Sequence, residues 1–261
     1  MALLEATGIA KRFGGVTALD GVDFAVERGE VMALVGDNGA GKSTLIKVLA
    51  GAHLPDRGEV RMRGEPLELR SPQDAWKAGI ATIFQELALA GKMNVQDNIF
   101  LGREPCRRVL GIPFLQRRAM RREAERLLAS LEVEIRDTRL PVENLSGGQR
   151  QGIAIARALH IDADLIIMDE PTAALAVAEV RKVFAFVRSL REQGKAVILI
   201  SHNIQDVFEI SDRITVLRQG RVEGVCTTTA TDPSAIVGLI TGAGHASSRR
   251  GPEHASLPAQ P

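Results

Sequence analysis

One eight-residue stretch constrains this chain more than any other: Gly36-Asp37-Asn38-Gly39-Ala40-Gly41-Lys42-Ser43. It fits the pattern G-x-x-x-x-G-K-[ST], in which glycines let the backbone wrap a phosphate and turn its N–H groups inward. The apolar residues 31–35 before it predict a buried strand. Residues 44–50 predict a helix that ends at Gly51. A strand, a glycine-rich loop and a helix in this order predict a triphosphate site.

Two side chains of this loop carry chemistry of their own. Lys42 offers a cation to the β- and γ-phosphates, and the hydroxyl of Ser43 is an oxygen ligand suited to Mg²⁺. The helix that follows adds unpaired N–H groups and a dipole that favour an anion. The loop therefore predicts nucleotide binding, but it does not say what the nucleotide drives.

Composition narrows the class of protein. The 261 residues suit one large domain or one domain with a subdomain, and 33 basic against 32 acidic residues give a net charge of +1. A nucleic-acid binder more often shows a basic excess, and 3% aromatic residues without tyrosine leave few stacking platforms. We therefore expect no nucleic-acid partner. Cys106 and Cys226 match no metal-ligand spacing and suit free thiols in a reducing compartment.

The sequence gives no sign of a membrane-spanning or secretory segment. The N-terminal residues meet an acid at Glu5, which is not typical of a signal peptide. No apolar run approaches the roughly 18 residues that a spanning helix needs. Membrane association is therefore expected to come through a partner.

The N-terminal region predicts an antiparallel edge sheet. Residues 2–9 and 22–26 alternate between apolar and polar side chains, as strands with one buried face do. Phe13 lies between them in a predicted loop. Its ring suits stacking on an adenine base, and an ordinary phenylalanine at the edge of the core is an equal alternative.

Three further apolar strands end at polar residues. Residues 80–84 lead to Gln85, residues 164–168 to Asp169 and Glu170, and residues 196–200 to His202. Open α/β sheets bind ligands at the carboxyl ends of their strands. Asp169 is suited to hold Mg²⁺ and Glu170 to activate a water as general base. Gln85 suits Mg²⁺ or the attacking water and His202 a γ-phosphate, although surface or core roles are the alternatives for both.

The middle of the chain interrupts the strand–helix pattern. Residues 86–116 show no regular periodicity, whereas residues 116–131 predict a helix with one apolar stripe. We expect an inserted helical subdomain over about residues 86–158. Seven arginines crowd this region, either as a solvated basic face or as a contact for a partner or for anionic lipid headgroups: Arg107, Arg108, Arg117, Arg118, Arg121, Arg122 and Arg126.

A second glycine-rich segment predicts another anion site. In Ser146-Gly147-Gly148-Gln149 a hydroxyl and flexible backbone N–H groups open a helix, although a simple helix cap is the alternative. Beyond it the patterns predict a helix over residues 177–193, a hairpin over 213–225 and a helix over 233–240. Residues 243–261 are rich in Gly, Ser, Pro, Arg and Ala and predict a disordered tail.

These motifs, in this order, resemble the nucleotide-binding subunit of an ABC transporter over residues 2–242. The signature Leu145-Ser146-Gly147-Gly148-Gln149 separates that family from other phosphate-loop proteins. The resemblance implies an α/β phosphate-loop cassette over residues 1–242. It implies a mixed, mostly parallel core sheet with helices, an antiparallel edge sheet and an inserted helical subdomain.

A narrower resemblance concerns the monosaccharide importers for ribose, xylose, fructose and related sugars. The phosphate loop, Ser71-Pro72, the run from Phe84 to Leu87 and the run from Asn98 to Glu104 are similar to that branch, in its single-cassette form. This implies an ATPase that energises uptake through a membrane permease, at the cytoplasmic face of the inner membrane. A sugar-binding protein outside the cell is the implied indirect partner, and the sugar itself is not encoded here.

The family also implies roles for individual residues. Two copies sandwich two ATP molecules, with Phe13 on the adenine and the loop through Thr44 on the phosphates. Lys42 contacts the phosphates, Ser43, Gln85 and Asp169 serve Mg²⁺, Glu170 orients water and His202 holds the γ-phosphate. Ser146, Gly147, Gly148 and Gln149 close the site from the other copy.

This sequence departs from the family pattern twice. Ala176 stands where an aspartate usually links the sites of the two copies, and Phe13 stands in place of the commoner tyrosine. Two alternatives stay open: a soluble ABC ATPase of DNA repair or translation, and a non-catalytic regulatory cassette. The first usually carries coiled coils, zinc modules or tandem cassettes, and intact Lys42, Asp169, Glu170 and His202 argue against the second.

Overall fold

The computed structural model describes residues 2–109, 112–173 and 175–243. Its strands are β1 (Ala2–Phe13), β2 (Val16–Glu27), β3 (Val31–Val35), β4 (Arg57–Met62), β5 (Glu65–Pro66), β6 (Ile80–Ile83), β7 (Cys106–Val109), β8 (Ile112–Leu115), β9 (Leu165–Asp169), β10 (Ala196–Ile200), β11 (Arg213–Arg218) and β12 (Arg221–Thr227). Its α-helices are α1 (Lys42–Leu49), α2 (Pro72–Lys77), α3 (Val95–Phe100), α4 (Arg117–Ser130), α5 (Gly147–His160), α6 (Val177–Glu192), α7 (Ile204–Ile210) and α8 (Pro233–Thr241). Short 3₁₀ helices cover Val142–Asn144 and Thr228–Ala230.

A six-stranded sheet in the order β12-β11-β3-β10-β9-β6 forms the centre of the fold. Its inner strands pair in parallel, and β12 pairs antiparallel with β11 at one edge. Every residue of β3 and β10 is buried, as expected for strands covered on both faces. Because the strands are parallel, the segments after β3, β6, β9 and β10 leave the sheet at the same edge.

The edge sheet has four strands in the order β2-β1-β4-β5. The long hairpin of β1 and β2 continues to the pair of Phe13 with Val16, closed by two glycines. The predicted loop around Phe13 is therefore wrong, because ladder pairing extends both strands to a tight turn. Phe13 is the last residue of β1.

The inserted region has a hydrophobic core of its own. Helices α3, α4 and α5 bury Ile99, Met120, Leu127, Leu128 and Ile153 against one another. The predicted stripe on α4 is confirmed by the burial of Met120, Ala124, Leu127 and Leu128.

Residues 86–116, which show no regular periodicity, contain α3 and the two-stranded sheet of β7 and β8. Helix α3 has only six residues, and every residue of β8 is exposed, so neither carries a readable apolar period. At the start of α2 the Ser71 hydroxyl accepts from the backbone N–H of Asp74, and Pro72 is the first helical residue. The predicted disordered tail, except Ala243, lies outside the described residues.

Candidate nucleotide site

The phosphate loop follows β3 and packs closely against neighbouring backbone. Gly41 has φ 106° and a Cβ there would lie 2.6 Å from the carbonyl oxygen of Ala18, so only glycine fits. A Cβ at Gly36 (φ 151°) would lie even closer to the carbonyl oxygen of Leu217. Helix α1 begins at Lys42 without a side-chain cap, which leaves the N–H groups of its first turn to a ligand.

The remaining loop residues differ in exposure. Asp37, Asn38, Gly39 and Ser43 are exposed, Thr44 is half-buried, and Ala40 is buried. The loop is anchored through Ala40, whose carbonyl accepts a hydrogen bond of 2.9 Å from the N–H of Gly220. The loop residues predicted to contact phosphate and Mg²⁺ are therefore largely exposed. The other side of the loop is held by the hydrogen bond between Ala40 and Gly220.

Lys42 is buried under the loop. Its Nζ donates to the carbonyls of Gly36 at 2.7 Å and Asp37 at 3.0 Å. Burial lowers the pKa of Lys42, and the charges of Glu170 and Asp169 oppose that shift. Lys42 thus interacts electrostatically with Asp169, the last residue of β9, and with Glu170, which follows it.

Asp169 is the acid at the end of β9. Burial is the main cause that raises its pKa, Glu170 adds to the rise, and Lys42 opposes it. A nearby cation stabilises the ionised form of a carboxylate in such surroundings. Within residues 2–109, 112–173 and 175–243, however, no group of three or more His, Cys, Asp or Glu side chains forms a metal site.

Glu170 contacts two residues that follow neighbouring strands of the central sheet. Its carboxylate accepts a hydrogen bond of 3.1 Å from Nε2 of Gln85, and its other oxygen pairs with Nε2 of His202. The backbone of Glu170 has φ 52°, and its N–H donates to the carbonyl of Ile200 at 3.0 Å. This left-handed conformation turns the side chain away from the strand direction, toward Gln85 and His202.

A hydrogen-bonded bridge that the sequence interpretation missed supports this arrangement. Asp206, in the first turn of α7, accepts from the hydroxyl of Thr172 at 2.8 Å and from the amide of Asn203 at 3.0 Å. Thr172 follows Glu170 by two residues, and Asn203 follows His202. An asparagine at the cap position with an aspartate in the first turn was the available sequence signal.

A second missed residue, Arg157 on α5, holds the segment after Gln85. Its guanidinium donates to the carbonyls of Leu87 at 2.6 Å and Ala88 at 2.9 Å. Both acceptor residues have positive φ, 39° and 45°. The signature helix is thereby tied directly to the segment that carries Gln85.

The signature segment lies apart from these contacts. Ser146 caps α5 in a capping box with Gln149, and Glu179 of α6 packs against Gly148. Gly147 lines a cleft of about 370 Å³ that Gln85 and Glu170 also line. No hydrogen bond or ion pair among the described residues joins the predicted Ser146–Gln149 site to the phosphate loop or to Glu170.

Phe13 is 45% exposed at the end of β1. Its ring meets the edge of His53 at a centroid distance of 5.3 Å, and Nζ of Lys11 lies 5.6 Å from its centroid. The ring is therefore open to a planar ligand. Cys106 and Cys226 are free thiols, as predicted.

Among the described helices, none has both the length and the apolar character to cross a bilayer.

The assembled geometry is that of a phosphate-loop ATPase cassette, and comparisons with known proteins agree. The family model described as "ABC transporter" matches residues 19–173. A nucleotide-free ATP-binding cassette from an ABC transporter superposes with a TM-score of 0.79 at 28% identity, covering 92% of this chain and 98% of that one. A dimeric bacterial ABC transporter cassette gives 0.74 at 25% identity over 86% and 98% of the two chains. The chain belongs to the ABC transporter family and is an ATP-binding cassette.

Curated relatives narrow the comparison. The xylose/arabinose import ATP-binding protein XylG of Sulfolobus acidocaldarius is 49% identical over 84% of this chain and 86% of its own length. The fructose import ATP-binding protein FrcA of Rhizobium meliloti is 48% identical over the same shares. The ribose import ATP-binding protein RbsA 1 of Rubrobacter xylanophilus is 51% identical over 85% of this chain, which spans 44% of that protein.

Proposed function

We propose that this chain is the ATP-hydrolysing subunit of an importer that takes up a monosaccharide of the fructose, ribose or xylose type through a membrane permease. The observation that carries the proposal is the contact of Glu170 with Gln85 and His202, beside the phosphate loop. The names of the sugar-import relatives favour this function over a soluble ATPase of DNA repair or translation.

The loop from Gly36 to Thr44 holds the phosphates of ATP, with Lys42 as the cation, and Phe13 stacks on the adenine. Ser43, Gln85 and Asp169 serve Mg²⁺. The donors fit this ion, because Mg²⁺ takes few protein carboxylates and completes its octahedral shell with water and substrate phosphates. Bound Mg²⁺ would neutralise charge on the phosphates, and the half-buried Asp169 carboxylate would gain a cation.

Glu170 acts as the general base. It accepts a proton from the attacking water while His202 donates a hydrogen bond to the γ-phosphate, and ADP and phosphate are formed. These two side chains pair with each other in the structure. Each would give up that pairing for its proposed contact, Glu170 for water and His202 for the γ-phosphate.

A second copy completes each site with Ser146, Gly147, Gly148 and Gln149. The Ser146 hydroxyl accepts from the N–H of Gln149, and its own proton stays available for an oxygen of the γ-phosphate. Ala176 lacks the carboxylate that would link the two copies, so we expect their communication to differ from that of relatives with an aspartate.

We further propose a cassette over residues 1–242 whose helical subdomain spans about residues 86–158. A groove of about 550 Å³ between α2, α3 and α5, the α2–α3 groove, receives a cytoplasmic segment of the permease. The chain would thus lie at the cytoplasmic face of the inner membrane, and a sugar-binding protein would deliver the substrate on the other side.

The test is to purify the chain with the permease encoded beside it, reconstitute both in vesicles with the neighbouring sugar-binding protein, and measure ATP hydrolysis and sugar uptake together. We expect uptake that requires ATP and Mg²⁺, and no hydrolysis when Mg²⁺ is chelated. Hydrolysis without any associated permease, at the rate of the complex, would support the soluble-ATPase alternative. ATP binding without hydrolysis in the complex would support the regulatory cassette.

A further inference from the structure

The hairpin of β7 and β8, the β7–β8 hairpin, exposes apolar side chains to water. Its two strands pair with each other in a sheet of their own. Every residue of β8 is exposed, and so are Arg107 and Arg108 of β7. Ile112, Phe114 and Leu115 are 59%, 55% and 45% exposed. A lone two-stranded hairpin is only marginally stable in water, and clustered exposed apolar side chains mark interaction sites. We therefore expect a partner to cover the hairpin.

Both faces of the β7–β8 hairpin combine an arginine with apolar side chains. Arg107 pairs across the strands with Phe114, and Arg108 pairs with Pro113. Paired side chains lie on one face of a sheet, and successive residues alternate between faces. Arg107 and Phe114 therefore share one face. Arg108 shares the other face with Pro113 and Leu115.

This distribution favours a membrane interface as the partner. A protein docked on one face of the hairpin would leave the apolar side chains of the other face in water. A hairpin inserted in a membrane interface buries the apolar side chains of both faces, while its arginines reach the lipid headgroups.

The sequence around the β7–β8 hairpin is strongly basic. The whole chain carries 33 basic and 32 acidic residues, yet residues 105–122 contain no aspartate or glutamate. The same segment contains six arginines: Arg107, Arg108, Arg117, Arg118, Arg121 and Arg122. Clusters of about four to eight basic residues are typical of segments that bind anionic lipid headgroups. The charge of this segment therefore matches an anionic lipid surface.

Most of these arginines are not neutralised within the molecule. Among the described ion pairs, only those of Arg117 and Arg121 involve this segment, and the other four arginines have none. Arg118 and Arg122 are exposed on α4, four residues apart, where like charges destabilise a helix. An anionic partner would relieve that repulsion.

The β7–β8 hairpin follows a segment that lines the α2–α3 groove. Arg103 lines this groove, and β7 begins three residues later at Cys106. The N–H of Gln116 donates to the carbonyl of Pro105 at 2.8 Å and closes the base of the hairpin. Because the proposed function puts a permease segment in the groove, the hairpin would lie on the side of the cassette that approaches the bilayer.

We propose that the β7–β8 hairpin and the first turns of α4 bind the anionic lipid headgroups of the membrane that holds the permease. This inference rests on the proposed function for the side of the cassette that faces the membrane. The arginines contact lipid phosphates, and Ile112, Phe114 and Leu115 enter the boundary between headgroups and acyl chains. The cassette thus has a contact with lipid in addition to its contact with the permease.

The experiment measures co-sedimentation of the purified chain with vesicles that contain no permease, so that lipid is the sole partner. Vesicles of phosphatidylcholine are compared with vesicles of phosphatidylcholine and phosphatidylglycerol. We expect about tenfold or more tighter binding to the anionic vesicles. Most of this difference should disappear in about 1 M salt, where charges are screened beyond about 3 Å.

A charge-matched pair of variants localises the contact to the hairpin. The double variant Arg107→Gln, Arg108→Gln is compared with the double variant Arg136→Gln, Arg181→Gln. Arg136 and Arg181 are exposed, lie outside the basic segment and have no described ion pair. We expect the hairpin variant to bind anionic vesicles about tenfold more weakly than the unmodified chain, and the control to bind normally.

A second pair tests the apolar part of the contact. Phe114→Ser is compared with Leu54→Ser, because both side chains are 55% exposed. We expect Phe114→Ser to weaken binding to anionic vesicles severalfold, since the ring no longer enters the interface, and Leu54→Ser to have no effect.

Equal binding to the two kinds of vesicle would overturn the proposal, and so would equal losses in the hairpin variants and their controls. Normal vesicle binding by the hairpin variants, together with weaker association with the permease, would assign the hairpin to the permease and overturn the lipid contact. Thermal unfolding of each variant reports its folding, and if the hairpin double variant is unfolded, Arg118→Gln, Arg122→Gln decides by the same comparison. Failure of the proposed function gives a different result, the absence of ATP-driven uptake by the reconstituted transporter.

Discussion

The phosphate loop and the signature segment both expose the N-terminus of a helix, but the two termini are built differently. Helix α1 begins without a side-chain cap, above a buried lysine and next to two acids. Helix α5 begins with a capping box of Ser146 and Gln149, and no described hydrogen bond or ion pair links it to those acids. The N-terminus of α1 lies with the residues proposed for hydrolysis, Glu170 among them. The N-terminus of α5 offers hydrogen-bond donors but has no general base beside it.

This difference supports the proposal that one chain holds only half of each site. The parallel strands bring Lys42, Gln85, Asp169, Glu170 and His202 to one edge of the sheet, whatever the second copy does. Ser146 and the glycines after it begin α5, which packs on the core of the inserted region through Ile153 and on the core of the central sheet through Ile155.

The largest expected effect concerns the hydrolytic half. Glu170→Gln keeps the shape of the side chain but removes the base, so we expect ATP hydrolysis to fall roughly 10²–10⁴-fold while ATP binding persists. Steady-state hydrolysis and nucleotide binding measured on the same preparation check this. Glu192→Gln, an exposed glutamate on α6, is the matched control. Normal turnover by Glu170→Gln would remove Glu170 from the role of base.

A smaller loss of ATP hydrolysis is expected when the hydrogen bonds of Asp206 to Thr172 and Asn203 are removed. Asp206→Ala frees Thr172 and Asn203, so Glu170 and His202 lose their fixed separation. We expect kcat to fall about tenfold with little change in KM for ATP, because the phosphate loop is untouched. Thr172→Val should give a similar loss, and the double variant no more than either alone. Losses that multiply in the double variant would show that the two residues act independently.

The smallest effect concerns the start of α6, which faces the signature. Ala176 occupies the cap position with φ −71° and ψ 155° but offers no side-chain acceptor. Ala176→Ser should raise the free energy of unfolding by about 1 kcal/mol and the Tm by about 2–4 °C. Ala176→Asp should stabilise similarly while restoring a carboxylate, so a difference in ATPase activity between the two isolates communication between copies. An unchanged free energy of unfolding would show that the missing side-chain cap at Ala176 does not limit the stability of the chain.

Sequence patterns predicted where Lys42, Gln85, Asp169, Glu170 and His202 lie, because each follows an apolar strand or a glycine pattern with a local signal. The parallel pairing of the strands brings Gln85, Glu170 and His202 together. The sequence did not predict α7, the hairpin of β7 and β8 or the hydrogen bonds of Arg157 and Asp206. Those elements are short or exposed, and a hydrogen bond between residues 157 and 87 depends on subdomain packing, which no local pattern encodes.

The central claim is that the two halves of one site come from different copies. The direct test mixes a Lys42→Ala chain with a Ser146→Ala chain in the assembled transporter. Each variant alone should hydrolyse ATP roughly 10²–10³-fold more slowly than the unmodified chain. Mixed pairs contain one site with both halves intact, so the mixture should recover roughly a quarter of the full rate if the sites work independently. No recovery on mixing, with mixed pairs demonstrably formed, would contradict the claim.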